Sequence, residues 1–586
     1  MTTPTSSVSG LDHVPGTFRT LWQALDYAAQ GQTGVNFYNS ETAVYASLTY
    51  TELRDRARAL AGKLAARFQR GAHIGLIAET SPDFVVSFMA CQYAGMIAAP
   101  MSLPAAFGRR ETYKWQIAKI TETAALATVM TSADYRALIE DIVAEQSIPV
   151  FDLSGDDLGE ATAEPIAFEA DEPSYLQFSS GSTSEPKGIF ATQQSVMANV
   201  HAISDEGLKI TGKDRMASWL PFYHDMGLVG FFLVPMCNQC SLDCMSPSTF
   251  ARRPGLWLRV ISENRGTITY SPSFGYGLSA RRYRGEELDL SCLRVAGIGG
   301  DMIEHDVLAR FADVFGPLGF THNAFVASYG MAEATLAISF VPLNRGPYYD
   351  TVGLQDLQTK SRAEAPSDGA QKQRIFTACG VPLSSFDMAI RNADGDAVAS
   401  REIGEVMLKG PCLAQGYFRA GKGVEPLCDA DGWFATGDLG YWLNDEIVIT
   451  GRSKDLMLWN GKNIWPQDLE WVAQKAAGTQ ISRAAAFDFR KEDGTSQVML
   501  LAECRVKDNE VREKIRRDIV SAVRDVVGVP FKFVFVMMHS LPVTSSGKLS
   551  RSAAKVRYLE GELTDPYADN EDADLPSPKH VSASAG

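Results

Sequence analysis

The chain has 586 residues, a formal net charge of −15 and 45% hydrophobic residues. Its length exceeds one ordinary core, so we expect two to four lobes, and its acidic balance disfavours nucleic acid or an anionic membrane as the main partner. The N-terminus lacks a basic and apolar leader, and the most apolar stretch, Gly227 to Cys237, is shorter than the roughly 20 residues that cross a bilayer. We therefore expect a cytoplasmic protein with no transmembrane segment and with reduced thiols.

Helices and strands alternate in the first third of the chain. Thr49 and Glu52 have the spacing of a capping box, and an apolar stripe at helical spacing follows them. Short apolar strands are predicted over 73–78 and 97–101, and a helix opens at Pro82 between them. Strand, helix and strand in close succession predict a doubly wound α/β sheet, in which ligands bind beyond the carboxyl ends of the strands.

A strand predicted over 175–178 leads into the segment SSGSTSEPKG at 179–188. Glycine and small hydroxyl residues allow backbone N–H groups to approach phosphate oxygens, and a lysine adds positive charge. The segment is not a Walker loop, so a Ser/Gly-rich surface turn stays open as the alternative when this loop is taken alone. The predicted phosphate contacts are Ser179, Ser180, Gly181, Ser182, Thr183 and Lys187.

Two later strands end in further candidate motifs. Residues 293–298 precede Gly299, Gly300 and Asp301, and residues 325–329 lie within the motif that runs from Ser328 to Glu333. An aromatic ring at a strand end can stack on a purine, and a carboxylate four residues later can hold Mg²⁺. The alternatives are a core tyrosine with a glutamate at a helix N-terminus, and an Asp301 that only caps the following helix.

From about Gly404 the pattern changes to short β-segments and turns, including a strand over 446–450 and the charged turn 451–455. A compact C-terminal unit then runs to about residue 555, with three predicted elements: a helix from Pro466, a strand near Val498 and a basic amphipathic helix over 511–527. The tail from about Glu560 is acidic and poor in apolar residues, so we expect it to be disordered.

Cys237, Cys240 and Cys244 have a spacing that invites a metal-site interpretation. A fourth ligand is missing nearby and an apolar segment precedes them. Buried thiols are therefore favoured over a structural zinc site.

Several of these motifs, in this order along the chain, resemble those of the adenylate-forming superfamily, which includes acyl-CoA synthetases, firefly luciferase, peptide-synthetase adenylation domains and fatty-acyl-AMP ligases. The resemblance extends from about residue 20 to 555. It implies an α/β fold with a large N-terminal domain of doubly wound sheets and a β-rich subdomain over 1–453, a small mobile α+β domain over 454–556, and the acidic tail over 557–586.

The resemblance also implies a role for each motif. Tyr329 would stack on adenine, and the other predicted contacts around the base are Gly299, Gly300, Asp301, Ser328, Gly330 and Met331. Glu333, together with Thr183, would hold Mg²⁺. Asp438, in the sequence TGD, and Arg452 would bind the ribose, since a carboxylate accepts from both hydroxyls. Lys454 would be the hinge between the domains. The alternative for these charged positions is an ordinary polar turn.

Lys548, in the sequence TSSGK, resembles the catalytic lysine of the C-terminal loop. The two anionic reactants repel each other, and a lysine aimed at the developing charge lowers that barrier. His224 resembles a residue that borders the acyl pocket, with a satisfied core histidine as the alternative. The apolar residues after it either line a lipid tunnel or are plain core.

Three features favour the fatty-acyl-AMP ligase branch. Ser184 stands where many CoA ligases carry glycine, the HDMGL sequence at 224–228 matches that branch, and the interval between Glu333 and Gly380 is long and polar, with an insertion near 341–378. In that branch the insertion is thought to hinder the rotation that CoA attack needs. The alternative is a surface loop without consequence.

The expected activity is ATP- and Mg²⁺-dependent conversion of a fatty acid to acyl-AMP with release of pyrophosphate. The acyl group would pass to the phosphopantetheine of an acyl carrier protein or synthase carrier domain supplied in trans. One alternative is a long- or medium-chain acyl-CoA synthetase. A remote one is a non-catalytic nucleotide- or lipid-binding protein, which the presence of Glu333, Asp438, Arg452 and Lys548 disfavours.

Overall fold

The computed structural model describes residues 3–41, 43–104, 110–179, 186–367, 372–491, 494–544, 548–565 and 567. Two large mixed sheets with helices around them make up most of the N-terminal domain, and a smaller sheet organises the C-terminal domain. The predicted α/β fold class is confirmed.

The first large sheet has a parallel centre and antiparallel edges. Within the described ranges its strands, in spatial order, are β17 (Val381–Pro382), β14 (Ala337–Phe340), β13 (Phe325–Gly330), β12 (Val295–Ile298), β11 (Ile268–Ser271), β9 (Arg215–Ser218), β10 (Ser241–Met245), β1 (Gly34–Tyr38) and β2 (Val44–Thr49). The five pairings from β13 to β1 are parallel, and the pairings at the two edges are antiparallel.

The second large sheet carries the two ends of the predicted phosphate loop. Its strands, in spatial order across the described residues, are β21 (Gly423–Pro426), β20 (Gly416–Arg419), β8 (Lys187–Thr192), β7 (Pro173–Ser179), β4 (Ile97–Met101), β3 (His73–Ile77), β5 (Thr128–Thr131) and β6 (Val150–Asp152). Strands β7 and β8 pair antiparallel, with Ser179 opposite Lys187. This register holds both ends of the loop at one edge of the sheet.

Local sequence explains where the helices of the N-terminal domain begin. Thr49 Oγ1 accepts from the Glu52 amide at 3.2 Å, and Glu52 Oε2 accepts from the Thr49 amide at 2.8 Å, so the predicted capping box is confirmed. The helices are α1 (Leu21–Ala28), α2 (Tyr50–Arg67), α3 (Pro82–Ala94), α4 (Arg110–Thr123), α5 (Ala133–Val143), α6 (Gln193–Ala202), α7 (Asp225–Leu228), α8 (Val234–Cys237), α9 (Pro247–Arg252), α10 (Gly255–Asn264), α11 (Ser273–Arg282) and α12 (His305–Phe315).

The predicted insertion is folded rather than a plain surface loop. It forms β15 (Tyr349–Gly353), α13 (Leu354–Lys360) and β16 (Gln373–Thr377), and the two strands pair antiparallel. Its apolar side chains pack with Tyr441, Val448 and Trp465 in one buried cluster. The neighbouring β-rich sheet contains β18 (Asp387–Arg391), β19 (Gly404–Lys409), β22 (Phe434–Leu443) and β23 (Glu446–Arg452).

The C-terminal domain has its own cores. The predicted helix from Pro466 and the predicted strand near Val498 are present, and the helix predicted over 511–527 begins two residues earlier, at Asn509. The elements are β24 (Met457–Trp459), β25 (Lys462–Ile464), α14 (Pro466–Ala477), β26 (Ile481–Arg490), β27 (Ser496–Cys504), α15 (Asn509–Val527), β28 (Phe531–Val536) and α16 (Arg551–Leu559).

The predicted tail begins too early at 557. Helix α16 crosses that boundary, Tyr558 and Leu563 are buried, and Asp565 forms a buried ion pair with Arg512. Because the segment is acidic overall, its composition did not reveal the few apolar and charged side chains that pack it against the domain. The C-terminal domain therefore continues to at least residue 565, and the remainder of the predicted tail, residue 567 apart, lies outside the described residues.

All nine cysteines are free thiols, seven of them buried, with Cys292 and Cys428 half-buried. Cys240 and Cys244 donate to the backbone carbonyls of Thr211 and Asn36 at 3.6 and 3.4 Å. The Cys237 to Cys244 segment thus holds buried thiols, as the sequence favoured. In the part of the chain that the structure describes, no helix combines the length and apolar character needed to span a bilayer.

Candidate active site

A cavity of about 630 Å³ lies where the strand ends of the N-terminal domain meet the C-terminal domain. Most of the residues that the sequence predicted for the site line it: Lys187, His224, Gly300, Asp301, Ser328, Tyr329, Gly330, Met331, Glu333, Asp438, Arg452, Lys454 and Lys548. Gly299 adjoins this wall, and Ser179 ends strand β7. Ser180, Gly181, Ser182 and Thr183 lie outside the described residues.

Glycine is required where β12 ends beside β13. A Cβ on Gly299 would lie 2.8 Å from the Ser328 carbonyl oxygen, and Gly300 has a φ of 80° with its Cβ position 2.9 Å from Met226 Cε. Any larger side chain at Gly299 would therefore push the end of β12 away from Ser328 on β13. Asp301 Oδ1 accepts from the Met302 amide at 2.8 Å, so it stabilises its own turn. Helix α12 is preceded by Glu304, which excludes the alternative that Asp301 caps this helix.

Tyr329, Asp438 and Arg452 form one polar cluster, although 109 residues separate the first two. The Tyr329 hydroxyl donates to Asp438 Oδ2 at 2.8 Å, and Arg452 Nε lies 3.3 Å from Asp438 Oδ1. Asp438 and Arg452 are also direct partners across β22 and β23. Burial raises the pKa of the Asp438 carboxyl, and the Arg452 guanidinium opposes this rise.

Glu333 lies in a short 3₁₀ turn, Ala332–Ala334, directly after β13. Glu333 thus stands in the first turn of this short helix, and it also lines the cavity. The Tyr417 hydroxyl donates to Glu333 Oε1 at 3.0 Å, and Lys187 Nζ lies 4.8 Å from the centre of the Tyr417 ring. Burial raises the pKa of Glu333, while the hydrogen bond from Tyr417 lowers it.

His224 and its neighbour Asp225 contact each other at the cavity wall. His224 Nδ1 lies 2.5 Å from Asp225 Oδ1, and His224 precedes the short helix α7. Burial alone would raise the pKa of Asp225, but the nearby His224 and Lys548 bring it below its ordinary value. His224 is therefore a half-buried residue of the cavity wall whose ring is paired with a buried carboxylate.

The C-terminal domain closes one side of the cavity. Lys548 is held beside Thr544, since the Thr544 amide donates to the Lys548 carbonyl at 2.7 Å and the Lys548 amide donates to Thr544 Oγ1 at 3.2 Å. Lys454 lies in the 3₁₀ turn Ser453–Asp455, where burial and the neighbouring Arg452 lower its pKa. The positive charges of Lys187, Arg452, Lys454 and Lys548 thus face one cavity.

An apolar wall continues from this polar region. Gly230 leaves room beside Leu336, whose Cδ2 would lie 3.2 Å from a Cβ at that position, and the rings of Phe231 and Tyr270 are 6.3 Å apart. The apolar lining comprises Ile203, Leu208, Phe231, Ile268, Tyr270, Leu336 and Phe340. Of the apolar residues after His224, Phe231 lines the cavity, whereas Phe232, Leu233 and Met236 are buried in the core.

The profile of the AMP-binding enzyme family matches residues 26–418. The chain belongs to the AMP-binding enzyme family. A relative from Caulobacter vibrioides, named provisionally as an acyl-CoA synthetase, is 41% identical over 96% of this chain and 99% of its own length. The medium-chain fatty acid–acyl carrier protein ligase JamA of Moorena producens is 29% identical over 93% of this chain and 96% of its own length.

A solved structure from a study of fatty acyl-adenylate ligases of E. coli and L. pneumophila superimposes on this AMP-binding enzyme with a TM-score of 0.88 and 38% identity. The match covers 93% of this chain and 99% of the other. The resemblance to the fatty-acyl-AMP ligases, inferred from the motifs, is confirmed.

Sequence reasoning missed several cavity residues of this AMP-binding enzyme. Arg551 donates to Glu470 at 2.7 Å and to Asp455 at 2.9 Å, and so connects α16, α14 and the turn that holds Lys454. The other missed residues include Gln177, Tyr417, Gln467 and Trp471. None lies in a motif with a glycine-rich loop or a distinctive spacing. Tyr417 lies on β20, which pairs with β8, and three residues earlier the Ala414 amide donates to the Glu333 carbonyl at 2.8 Å.

Proposed function

We propose that this enzyme uses ATP to convert a fatty acid to acyl-AMP, with release of pyrophosphate. One observation carries the proposal: Lys548 of the C-terminal domain lines the same cavity as Glu333, the Tyr329–Asp438 pair and an apolar wall. The triphosphate of ATP and the apolar chain of a fatty acid can therefore bind side by side in this cavity, both close to Lys548. The burial of most of the lining is typical of small-molecule sites.

ATP would occupy the polar part of the cavity. Tyr329 would face the adenine together with Gly299, Gly300, Asp301, Ser328, Gly330 and Met331, while Asp438 and Arg452 would hold the ribose hydroxyls. Lys187 and the predicted loop residues Ser179 to Thr183 would bind the phosphates. The support is that five cationic side chains, Lys187, Arg452, Lys454, Lys548 and Arg551, line one cavity in a chain of net charge −15.

Glu333 has the chemistry of a magnesium ligand, since Mg²⁺ prefers oxygen donors and this buried carboxylate faces the cavity. Thr183 would supply a hydroxyl oxygen. Bound Mg²⁺ would offset part of the negative charge on the triphosphate. The role of this chain is to hold the carboxylate in place, which the hydrogen bond from Tyr417 does.

In the reaction, a carboxylate oxygen of the fatty acid would form a bond to the α-phosphorus as the bond to pyrophosphate breaks. Lys548 would lie between the two anions and stabilise the developing charge. His224, paired with Asp225, would border the carboxyl end of the acyl pocket. After adenylation the C-terminal domain, which we place from about residue 454, would pivot near Lys454 to admit the acceptor.

The acceptor would be the phosphopantetheine thiol of a carrier protein supplied in trans, and the enzyme would work in the cytoplasm. The name of the similar JamA protein, a fatty acid–acyl carrier protein ligase, supports the carrier acceptor. A folded insertion between Glu333 and Gly380 supports it as well. The second candidate is an acyl-CoA synthetase, which the name of the Caulobacter relative favours.

The test is to incubate the protein with ATP, Mg²⁺ and fatty acids of graded chain length, with and without CoA, and to identify the products by mass spectrometry. Acyl-AMP that persists with CoA present supports the proposal. Prompt conversion to acyl-CoA would instead assign the second candidate, and absence of acyl-AMP in both arms would exclude adenylation of these acids.

A further inference from the structure

Five exposed arginines gather on one surface of the N-terminal domain, at the ends of α9 and α11 and on α12. We name this group the arginine ridge; its members are Arg252, Arg281, Arg282, Arg284 and Arg310. By contrast, Arg265 pairs with Asp289 and Arg294 pairs with Asp214. Among the described residues, no ion pair involves a member of the ridge.

Contacts within the ridge show that its members are true neighbours. Arg282 Nη1 donates to the Arg252 carbonyl at 3.4 Å, and Arg284 Nη1 donates to the Arg281 carbonyl at 3.3 Å. Burial lowers the pKa of Arg281, and the charges of Arg310 and Arg282 lower it further. Like charges therefore stand close together.

Carboxylates also lie near the ridge. Glu304 opposes the charge repulsion at Arg281, Glu286 accepts from the backbone amide of Arg284, and Asp306, one helical turn before Arg310, pairs with Lys475. None of these carboxylates forms an ion pair with a ridge arginine in the described part of the chain, whose full sequence has a net charge of −15. A positively charged surface on a protein of negative net charge favours binding of an anionic partner.

Helix α11 connects the ridge to the mouth of the cavity. Ser273 Oγ, at the start of the helix, donates to the carbonyl of Met302, which lines the cavity, at 3.4 Å. Phe274 follows and is 50% exposed. Phe274 and Arg281 are seven residues apart, so they share one face of α11 and are separated by about 10 Å along its axis.

We propose that the arginine ridge and Phe274 form the docking surface for an acidic carrier protein. The inference rests on the proposed function. Any such partner carries an anionic phosphodiester where the pantetheine arm joins its serine, and the thiol at the other end must enter the cavity. The ridge would bind that phosphate and the surrounding carboxylates, while Phe274 would supply an apolar anchor beside the cavity.

The test compares wild-type enzyme with the double variant Arg281→Glu/Arg282→Glu. Acyl-AMP formation is measured by pyrophosphate release without an acceptor, and acyl transfer is measured against the concentration of a holo acyl carrier protein of net negative charge. We expect unchanged acyl-AMP formation and a KM for the carrier that rises at least 10-fold. For the wild type this KM should also rise with salt, because exposed charges are screened.

The matched control is Arg58→Glu/Arg67→Glu on α2, which packs against α1 and α3. It makes the same change of charge elsewhere and should leave the carrier KM unaltered. If the ridge variant loses acyl-AMP formation through misfolding, Phe274→Ala replaces it, with the same expected rise in carrier KM.

The outcomes separate the docking surface from the proposed function. Wild-type enzyme that makes acyl-AMP but transfers it only to CoA refutes the carrier acceptor, and the docking surface with it. Transfer to the carrier with an unchanged KM in both the ridge variant and Phe274→Ala refutes the docking surface alone. A ridge variant that selectively loses acyl-CoA formation would reassign the ridge to the phosphates of CoA.

Discussion

The hydroxyl of Tyr417 donates to Glu333 Oε1 at 3.0 Å while Lys187 Nζ lies 4.8 Å from the centre of the same ring. One tyrosine therefore contacts both a proposed metal ligand and a proposed phosphate ligand. Groups that orient a metal ligand typically contribute 10- to 100-fold to metal affinity or activity.

Replacing Tyr417 with Phe should raise the Mg²⁺ concentration for half-maximal acyl-AMP formation by about 10-fold, because Glu333 loses the donor that orients it. Binding of MgATP, measured by calorimetry, should weaken as well. Tyr113→Phe is the control, since this hydroxyl donates to the backbone carbonyl of Ser102, away from Glu333. An unchanged Mg²⁺ dependence in the Tyr417 variant would show that the hydrogen bond from Tyr417 does not orient Glu333 for Mg²⁺ binding.

Replacing Lys548 with Ala should lower the rate of acyl-AMP formation by about 100-fold or more, because the charge that stabilises the transition state is lost. ATP binding should change little, since the proposed adenine and ribose contacts all lie in the N-terminal domain. The measurement pairs pyrophosphate release with equilibrium ATP binding, and Lys514→Ala on α15 is the control. Wild-type turnover in the Lys548 variant would remove this residue from the mechanism.

Arg374 of the insertion and Asp468 of α14 form a buried ion pair at 3.1 Å. Arg374→Ala should lower the free energy of unfolding by about 3 kcal/mol, because a buried charge loses its partner. Arg362→Ala, which removes an exposed ion pair with Glu364, should cost less than about 1 kcal/mol. Urea unfolding of both variants measures the difference, and equal losses would mean that the buried pair adds nothing specific.

Asp214 is buried and accepts from Arg294 Nε at 2.7 Å. Burial raises the pKa of this carboxyl, but Arg294 outweighs that effect, so the folded-state pKa lies below the ordinary value. The stability it contributes is therefore present above about pH 4 and is lost as the pH falls through the lower folded-state pKa.

Asp214→Asn should lower the free energy of unfolding at neutral pH by about 2 kcal/mol, since a charge-assisted hydrogen bond is lost. Its stability should also fall less steeply than that of the wild type below about pH 4. Urea midpoints recorded across that range measure both effects. Parallel curves for the wild type and the variant would show that Asp214 does not titrate differently in the folded state.

Local signals in the sequence predicted a large part of this fold. The capping box at Thr49 and the start of the helix at Pro466 depend on neighbouring residues, the strand 97–101 is a short apolar run, and each is present. Gly300 and the motif from Ser328 line the cavity because they lie at the carboxyl ends of β12 and β13, which are parallel neighbours.

Long-range pairing explains what the sequence did not reveal. Tyr417 reaches Glu333 across 84 residues, and Arg551 reaches Glu470 across 81. A tyrosine in a short strand and an arginine at a helix start are common local patterns with no distinguishing spacing. The fold of the insertion was hidden likewise, because its apolar side chains find partners such as Tyr441 and Trp465 outside the segment.

The distribution of thiols gives this protein natural attachment points for spectroscopic labels. Seven of its cysteines are buried, so Cys292 and Cys428, both in the N-terminal domain, should react first with maleimide reagents. One further cysteine on α15, introduced as Lys514→Cys, would add a label on the C-terminal domain. Distances between the labels on the two domains would then report how the C-terminal domain, which carries Lys548, moves relative to Glu333 during turnover.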